Sequence, residues 1–170
     1  MSHQAQIDFV AALSLKFPEL FIRKNVLEIG SLNINGSIRQ FFQQCNYVGV
    51  DIGAGRDVDV VARGEELTYG DESFDVVASC ECFEHNPHWA KTFDNMVRMA
   101  GSLVFFTCAT TGRKEHGTRR TTPHDAPFCG DYYMNLTEED VRRECDLSAF
   151  KQYDFSVNEH AHDLYFWGIK

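Results

Sequence analysis

The stretch Asn25–Ser37, NVLEIGSLNINGS, limits what this chain can fold into more than any other. Val26-Leu27-Glu28-Ile29 runs into Gly30, then a polar turn with two asparagines, then Gly36-Ser37. Beyond it Ile38, Phe41, Phe42 and Cys45 recur at helical spacing. The pattern predicts a strand, a glycine-bearing loop and a helix over about Ser37–Cys45. Such a junction offers backbone N–H groups and a helix N-terminus to whatever binds there. A second acid-tipped strand follows at once, Tyr47-Val48-Gly49-Val50-Asp51. Glu28 and Asp51 are therefore expected at the carboxyl ends of adjacent strands.

The rest of the chain alternates in the same way. Gln4–Phe17 places Ile7, Val10, Ala11, Leu13 and Phe17 near one helical face, and Pro18 ends that helix. The link Gly53–Asp57 is too short for a helical crossover, yet Val58–Ala62 reads as strand. Parallel neighbours normally need a dozen or more linking residues, so the helix between strands two and three is expected to be missing, and either strand three is a reduced edge or the segment is irregular. Ser73–Ser79 reads as a buried strand after the turn Gly70-Asp71-Glu72. Asn86 and Pro87 suit the start of a helix whose stripe is Trp89, Phe93, Met96, Val97 and Ala100, with Gly101 as its C-terminal cap. Leu103–Cys108 is a continuous apolar run, hence a central strand. Thr137 and Asp140 form a capping-box pattern for a helix to about Cys145. Phe150–Val157 and Leu164–Ile169 are linked so briefly that they must pair antiparallel.

Length and charge exclude several classes. The 170 residues suit a single domain, 1–170, with 1–24 as N-terminal helix and linker. A net charge of −9 argues against nucleic acid as a partner. The six cysteines show no disulfide-scaffold spacing, and no signal peptide or membrane span is visible, so a cytoplasmic location is expected. Cys80-x-Cys82 with His85 and His88 fits no usual zinc pattern, so no metal is assigned and the thiols are read as core. His160, His162 and Asp163 are read as a solvated hairpin turn, Trp89 and Trp167 as core aromatics.

VLEIGSLNINGS, YVGVDIGAGRDVDVV and SFDVVASCECFEHNP together resemble the motifs of class I S-adenosylmethionine-dependent methyltransferases, in particular the small type 11-like domains. The resemblance runs from about Asn25 to the C-terminus. It implies an α/β, Rossmann-like methyltransferase sheet, mostly parallel with a C-terminal antiparallel hairpin. It also implies S-adenosyl-L-methionine as cofactor and S-adenosyl-L-homocysteine as product. Glu28 supplies negative charge near the cofactor's amino-acid end, and Asp51 can accept both ribose hydroxyls. Gly30 and Gly36 let the backbone approach closely. The same resemblance assigns cofactor contacts to Ser31, Asn33, Ile52 and Cys80. Where relatives carry G-D-A-x-x-L after strand three, this chain reads Ala62-Arg63-Gly64-Glu65-Glu66-Leu67, so either Gly64 or Glu65 meets the adenine through its backbone or Arg63 stacks on the ring. The usual middle glycine of the first loop is absent and the loop is longer.

Two rival readings stand beside this one. A nicotinamide-dinucleotide oxidoreductase also uses a glycine loop followed by an acid about 20 residues on. Against it, GSLNING lacks the G-x-G-x-x-G spacing, and Glu28 would repel a pyrophosphate. A cofactor-binding, non-catalytic subunit is the other, because no separate substrate domain is evident.

On the acceptor side, methyl transfer needs a nucleophile aligned about 3 Å from the methyl carbon and, for some acceptors, a base. The loop after strand four, Ser79–Asn86, should face the methyl group, which makes His85 and Glu81 the catalytic candidates. The long loop Ala109–Leu136 carries Arg113, Lys114, His116, Arg119, Arg120 and His124 in an acidic protein, followed by Asp131-Tyr132-Tyr133. Arg113, Arg119, Arg120, His124 and Tyr132 are expected to bind the acceptor, a small and anionic or sugar-linked molecule.

Overall fold

The computed structural model describes residues 3–170. Helix α1 (Gln4–Lys16) precedes strands β1 (Asn25–Ile29), β2 (Asn46–Asp51), β3 (Val60–Val61) and β4 (Phe74–Cys80). Helix α2 (Trp89–Met99), strand β5 (Ala100–Ala109), helix α3 (Glu138–Glu144) and strands β6 (Gln152–Asn158) and β7 (Asp163–Ile169) complete the chain. The strands form one sheet in the order β3-β2-β1-β4-β5-β7-β6. β1 to β5 run parallel, and β7 inserts antiparallel between β5 and its hairpin partner β6. This is a Rossmann-like sheet with the closing antiparallel pair that the sequence implied.

The central strands β1, β4, β5 and β7 are buried on both faces, and their alternation divides the core. Leu27, Val77, Val104, Phe106 and Phe166 point toward α2 and α3. Val26, Val76, Ala78, Phe105 and Trp167 point toward α1, whose Val10 and Leu13 complete that side. Adjacent residues thus feed opposite layers, as a period of two requires. Both tryptophans are core residues, each only 6% exposed.

The second half of the β2–β3 prediction holds as well. Residues 52–59 contain no helix, and β3 is a two-residue edge. The helix expected over Ser37–Cys45 is a correction: only one 3-10 turn forms, Ile38–Phe41, with the Ser37 hydroxyl accepting the Arg39 N–H. The backbone has a better partner nearby. The Gln43 N–H donates to the Phe21 carbonyl at 2.8 Å, the Arg23 N–H donates to the Gln43 carbonyl at 3.0 Å, and the Phe42 ring stacks on Phe21. These bonds draw residues 42–43 out of helical geometry.

The start and end of α2 also differ from expectation. His88 holds the N-cap position, and Asn86 works two residues earlier, accepting the His88 N–H and donating to Thr92. Gly101 lies inside β5, because the chain turns straight from Met99 into that strand. The Thr137–Asp140 capping box is formed in both directions. Among the described residues, no helix is long and apolar enough to cross a membrane.

Candidate active site

The carboxyl ends of β1, β2 and β4 open onto one groove, the edge where open α/β sheets bind ligands. Its first part, about 630 Å³, is lined by Glu28, Gly30, Ser31, Asp51, Cys80 and His85, with Gln6 reaching in from α1. Its second part, about 780 Å³, shares Gly30, Asp51 and His85 and runs on to Ile52, Arg63, Gly64, Glu65 and Tyr132. The ring of Phe128 borders both and lies over Gly53, where a Cβ would fall 1.9 Å from its edge.

Gly30 makes the turn out of β1. Its φ is +83°, and a Cβ there would meet Cys82 at 2.6 Å, so glycine is required. The Gly30 and Ser31 N–H groups both donate to the Val50 carbonyl, which ties the loop to β2. Asp51 sits at the tip of β2. One of its oxygens accepts the Leu32 N–H at 3.2 Å and the other the Gly53 N–H at 3.1 Å. A carboxylate has about four acceptor sites, so this anchoring leaves lone pairs facing the groove. Burial raises its pKa while these backbone bonds oppose the rise.

Glu28 is 4% exposed and accepts the Tyr47 hydroxyl at 2.7 Å. Burial pushes its pKa up to about 7, against the Tyr47 bond and the Arg39 charge. Two polar atoms along the same wall, Gln6 Oε1 and Ser31 Oγ, are buried without a partner. Such atoms cost stability unless something meets them.

At the tip of β4 the backbone is strained, with Glu81 at φ +52°. Its carboxylate is 6% exposed, accepting from Thr107 at 2.9 Å and lying 3.4 Å from the His3 ring. Burial is the largest influence on the Glu81 pKa and raises it, but the His3 contact and charge and the Thr107 bond act together with nearby positive charge to bring it below the usual carboxylate value. His85 is 5% exposed with neither ring nitrogen bonded, and burial lowers its pKa to about 3. Burial raises the thiols of Cys80, Cys82 and Cys129, so they are neutral lining groups.

The structure therefore brings Glu28, Gly30, Ser31, Gly36, Asp51, Ile52, Gly64, Glu65, Cys80, Glu81, His85 and Tyr132 to the groove. Asn33 is not among them. Its amide donates to Asp57 at 2.6 Å and its oxygen accepts the Gly36 N–H, so it fixes the loop from behind. Nor does the basic run line the groove. Arg113 donates to the Ala161 carbonyl and to Asp163, Arg120 pairs with Glu115, and His124 lies 3.3 Å from Asp125. Arg119 is exposed, and its N–H donates to Asp131. The basic side chains found acids of their own loop and hairpin, which sequence spacing does not reveal. The hairpin turn needs a correction too. His160 and His162 are exposed, but Asp163 is fully buried between Arg113 and His3.

Residues 27–105 match the family model described as a methyltransferase domain. That stretch holds both acids, the glycine turn and three of the parallel strands in full, with most of β1 and β5. Over that stretch the chain is similar to methyltransferase domains, and its sheet has the class I methyltransferase fold. Solved structures share the methyltransferase fold at low identity. The CurJ carbon methyltransferase superimposes with a TM-score of 0.66 at 15% identity, over 96% of this chain and 53% of that one. The magnesium protoporphyrin IX methyltransferase ChlM of Synechocystis PCC 6803, solved with bound SAM, gives 0.66 at 14%, over 99% and 79%. The Haemonchus contortus phosphoethanolamine N-methyltransferase 2, complexed with phosphomonomethylethanolamine and S-adenosylhomocysteine, gives 0.67 at 15%, over 96% and 52%. The chain spans about half the length of the first and third of these. No curated protein matches it in sequence.

Sequence reasoning missed Gln6, Phe128 and Cys129. Gln6 had a signal, as a polar residue on the inward face of an amphipathic helix. Phe128 had only its place in a long loop.

Proposed function

We propose that this chain binds S-adenosylmethionine in the groove and transfers its methyl group to a small acceptor. One observation carries the reading: Glu28 and Asp51 open onto the same groove across the tips of β1 and β2. Glu28 meets the ammonium and Asp51 the ribose diol. Gln6 Oε1, buried and unpartnered, accepts from the same ammonium, and the Ser31 hydroxyl, also unpartnered, donates to the carboxylate. Gly64 and Glu65, with Arg63, border the part of the groove left for the adenine. The sulfonium supplies an activated methyl group, so the chain's task is alignment and exclusion of water. His85, with unbonded ring nitrogens at the junction of the two parts, contacts the acceptor. Glu81, engaged by Thr107 and His3, positions that loop.

The finer reading is an anionic or sugar-linked acceptor. It is supported by the exposed Arg119 and Arg120 on the loop that also carries Phe128 over the groove. A dinucleotide fits less well, since its pyrophosphate would lie against Glu28.

Thermal unfolding with S-adenosylhomocysteine or NAD tests the proposal. A ligand at about 100 times its Kd adds roughly 2.7 kcal/mol, several degrees at this length. S-adenosylhomocysteine is expected to give that shift and Asp51→Ala to remove it. A shift with NAD alone would overturn the reading.

A further inference from the structure

Four carboxylates are buried among the described residues, and three have partners. Glu28 holds Tyr47, Glu81 holds Thr107 and His3, and Asp163 holds Arg113 and His3. Glu84 is the exception. It is 0% exposed and neither of its oxygens accepts a hydrogen bond. Beside it lie His85, with both ring nitrogens unbonded, and His116, whose Nε2 is buried and unbonded. One ligand atom from each of the three falls within 4.8 Å of the others, and His116 Nε2 stands 4.0 Å from Glu84 Oε1. The two imidazole rings are perpendicular, with centroids 5.0 Å apart. Three inward-facing groups with five orphaned polar atoms are not an ordinary packing solution, because each orphan is left without its water.

We propose that Glu84, His85 and His116 bind one divalent first-row transition cation. Two neutral imidazoles and a carboxylate form a mixed nitrogen and oxygen donor set. That set suits zinc, iron(II), cobalt(II) or manganese(II), whereas calcium and magnesium favour all-oxygen cages and copper(I) favours sulfur. At metal–nitrogen distances of about 2.1 Å, ligand atoms in a tetrahedron stand about 3.3 Å apart. The observed spacing closes to that with sub-ångström to ångström side-chain shifts. The ligands come from the turn after β4 and from the long loop, so a cation would pin that loop to the sheet tip. Tyr133, with its ring 5.5 Å from His85 and 5.1 Å from His116, walls the outer side.

Three protein ligands leave a coordination position open. His85 also borders both parts of the groove. An acceptor oxygen could take the open position and lose its proton more readily there. That last role rests on the methyl-transfer reading. The cation site itself does not, and it stands or falls separately.

The test is a cobalt(II) titration of the metal-stripped full chain, followed by its visible spectrum. The expected result is one equivalent bound, with d–d bands and without the near-ultraviolet charge transfer that thiolate ligands produce. Glu84→Gln and His116→Ala should each weaken binding by about 100-fold or more, beyond what losing an outer-shell partner costs. Circular dichroism of both variants checks that they fold. No cobalt bound by the wild-type chain, or a spectrum dominated by thiolate, would overturn the site. Equal binding by wild type and a folded His116→Ala would overturn it too. S-adenosylhomocysteine stabilisation, measured on the same samples, reports separately on the cofactor groove.

Discussion

The hydroxyl of Tyr47 donates to the carboxylate of Glu28 at 2.7 Å, across two neighbouring parallel strands. Glu28 is buried and Tyr47 half-buried, and the bond ties the acid at the groove to a residue near the start of β2. Besides Tyr47, the charges and titratable groups acting on Glu28 are Arg39, Asp57, Asp51 and Cys80. Burial dominates and the pKa stands near 7.

A pH-dependent stability follows from that value. Between the unfolded value near 4.5 and the folded value near 7, the native state keeps a proton that the unfolded chain gives up. The contribution is fully present below about pH 4.5 and is lost as the pH rises through 7, by roughly 3 kcal/mol in all. Urea unfolding of wild type and Glu28→Gln at pH 5 and pH 7.5 isolates it. The difference between the two proteins should shrink or reverse as the pH rises.

Cofactor affinity runs the other way. An ammonium is held by the ionised acid, so S-adenosylhomocysteine should bind more tightly as the pH climbs toward 7, by up to tenfold per unit. Tyr47→Phe removes a bond that lowers the Glu28 pKa and should move the midpoint to higher pH. Calorimetric titration across pH 5.5 to 8.5 would expose a flat profile if Glu28 does not meet the ligand.

Gly30→Ala combines a forbidden backbone angle with a 2.6 Å contact to Cys82. A loss of about 1–3 kcal/mol is expected, with S-adenosylhomocysteine binding lost because the turn and Cys82 both line the groove. Denaturation midpoints and calorimetry measure the two effects separately.

Thr137→Ala breaks both halves of the capping box on α3. The helix is far from the groove lining, so the expected effect is about 1 kcal/mol of stability, or 2–4 °C, with cofactor affinity unchanged. Calorimetric melting with and without S-adenosylhomocysteine checks both parts.

Arg119→Ala combined with Arg120→Ala should leave cofactor affinity as it was, since neither residue lines the groove. If the acceptor is anionic, its KM should rise several-fold. An unchanged KM on a turned-over acceptor would remove the case for an anion.

How much was visible beforehand depends on the range of the interaction. Glu28, Gly30 and Asp51 were legible because a strand, a glycine turn and an acid-tipped strand are local patterns. The missing helix after β2 was legible from the length of its link. The helix after Ser37 was misread because Phe42 and Gln43 pair with residues 21–23, a contact outside any local window. The ion pairs of the basic loop were not legible for the same reason, since Arg113 meets Asp163 fifty positions away. Likewise Glu84 and His116 share a buried pocket only through the fold.

Phe128 rests on Gly53 at the boundary between the two halves of the groove. A molecule reaching from Glu28 to Gly64 has to slip beneath that ring. The aromatic side chain therefore stands where a latch would, over the middle of any ligand held between those two residues. Trimming it to alanine would quicken both arrival and departure, leaving a site that fills faster and holds for less time.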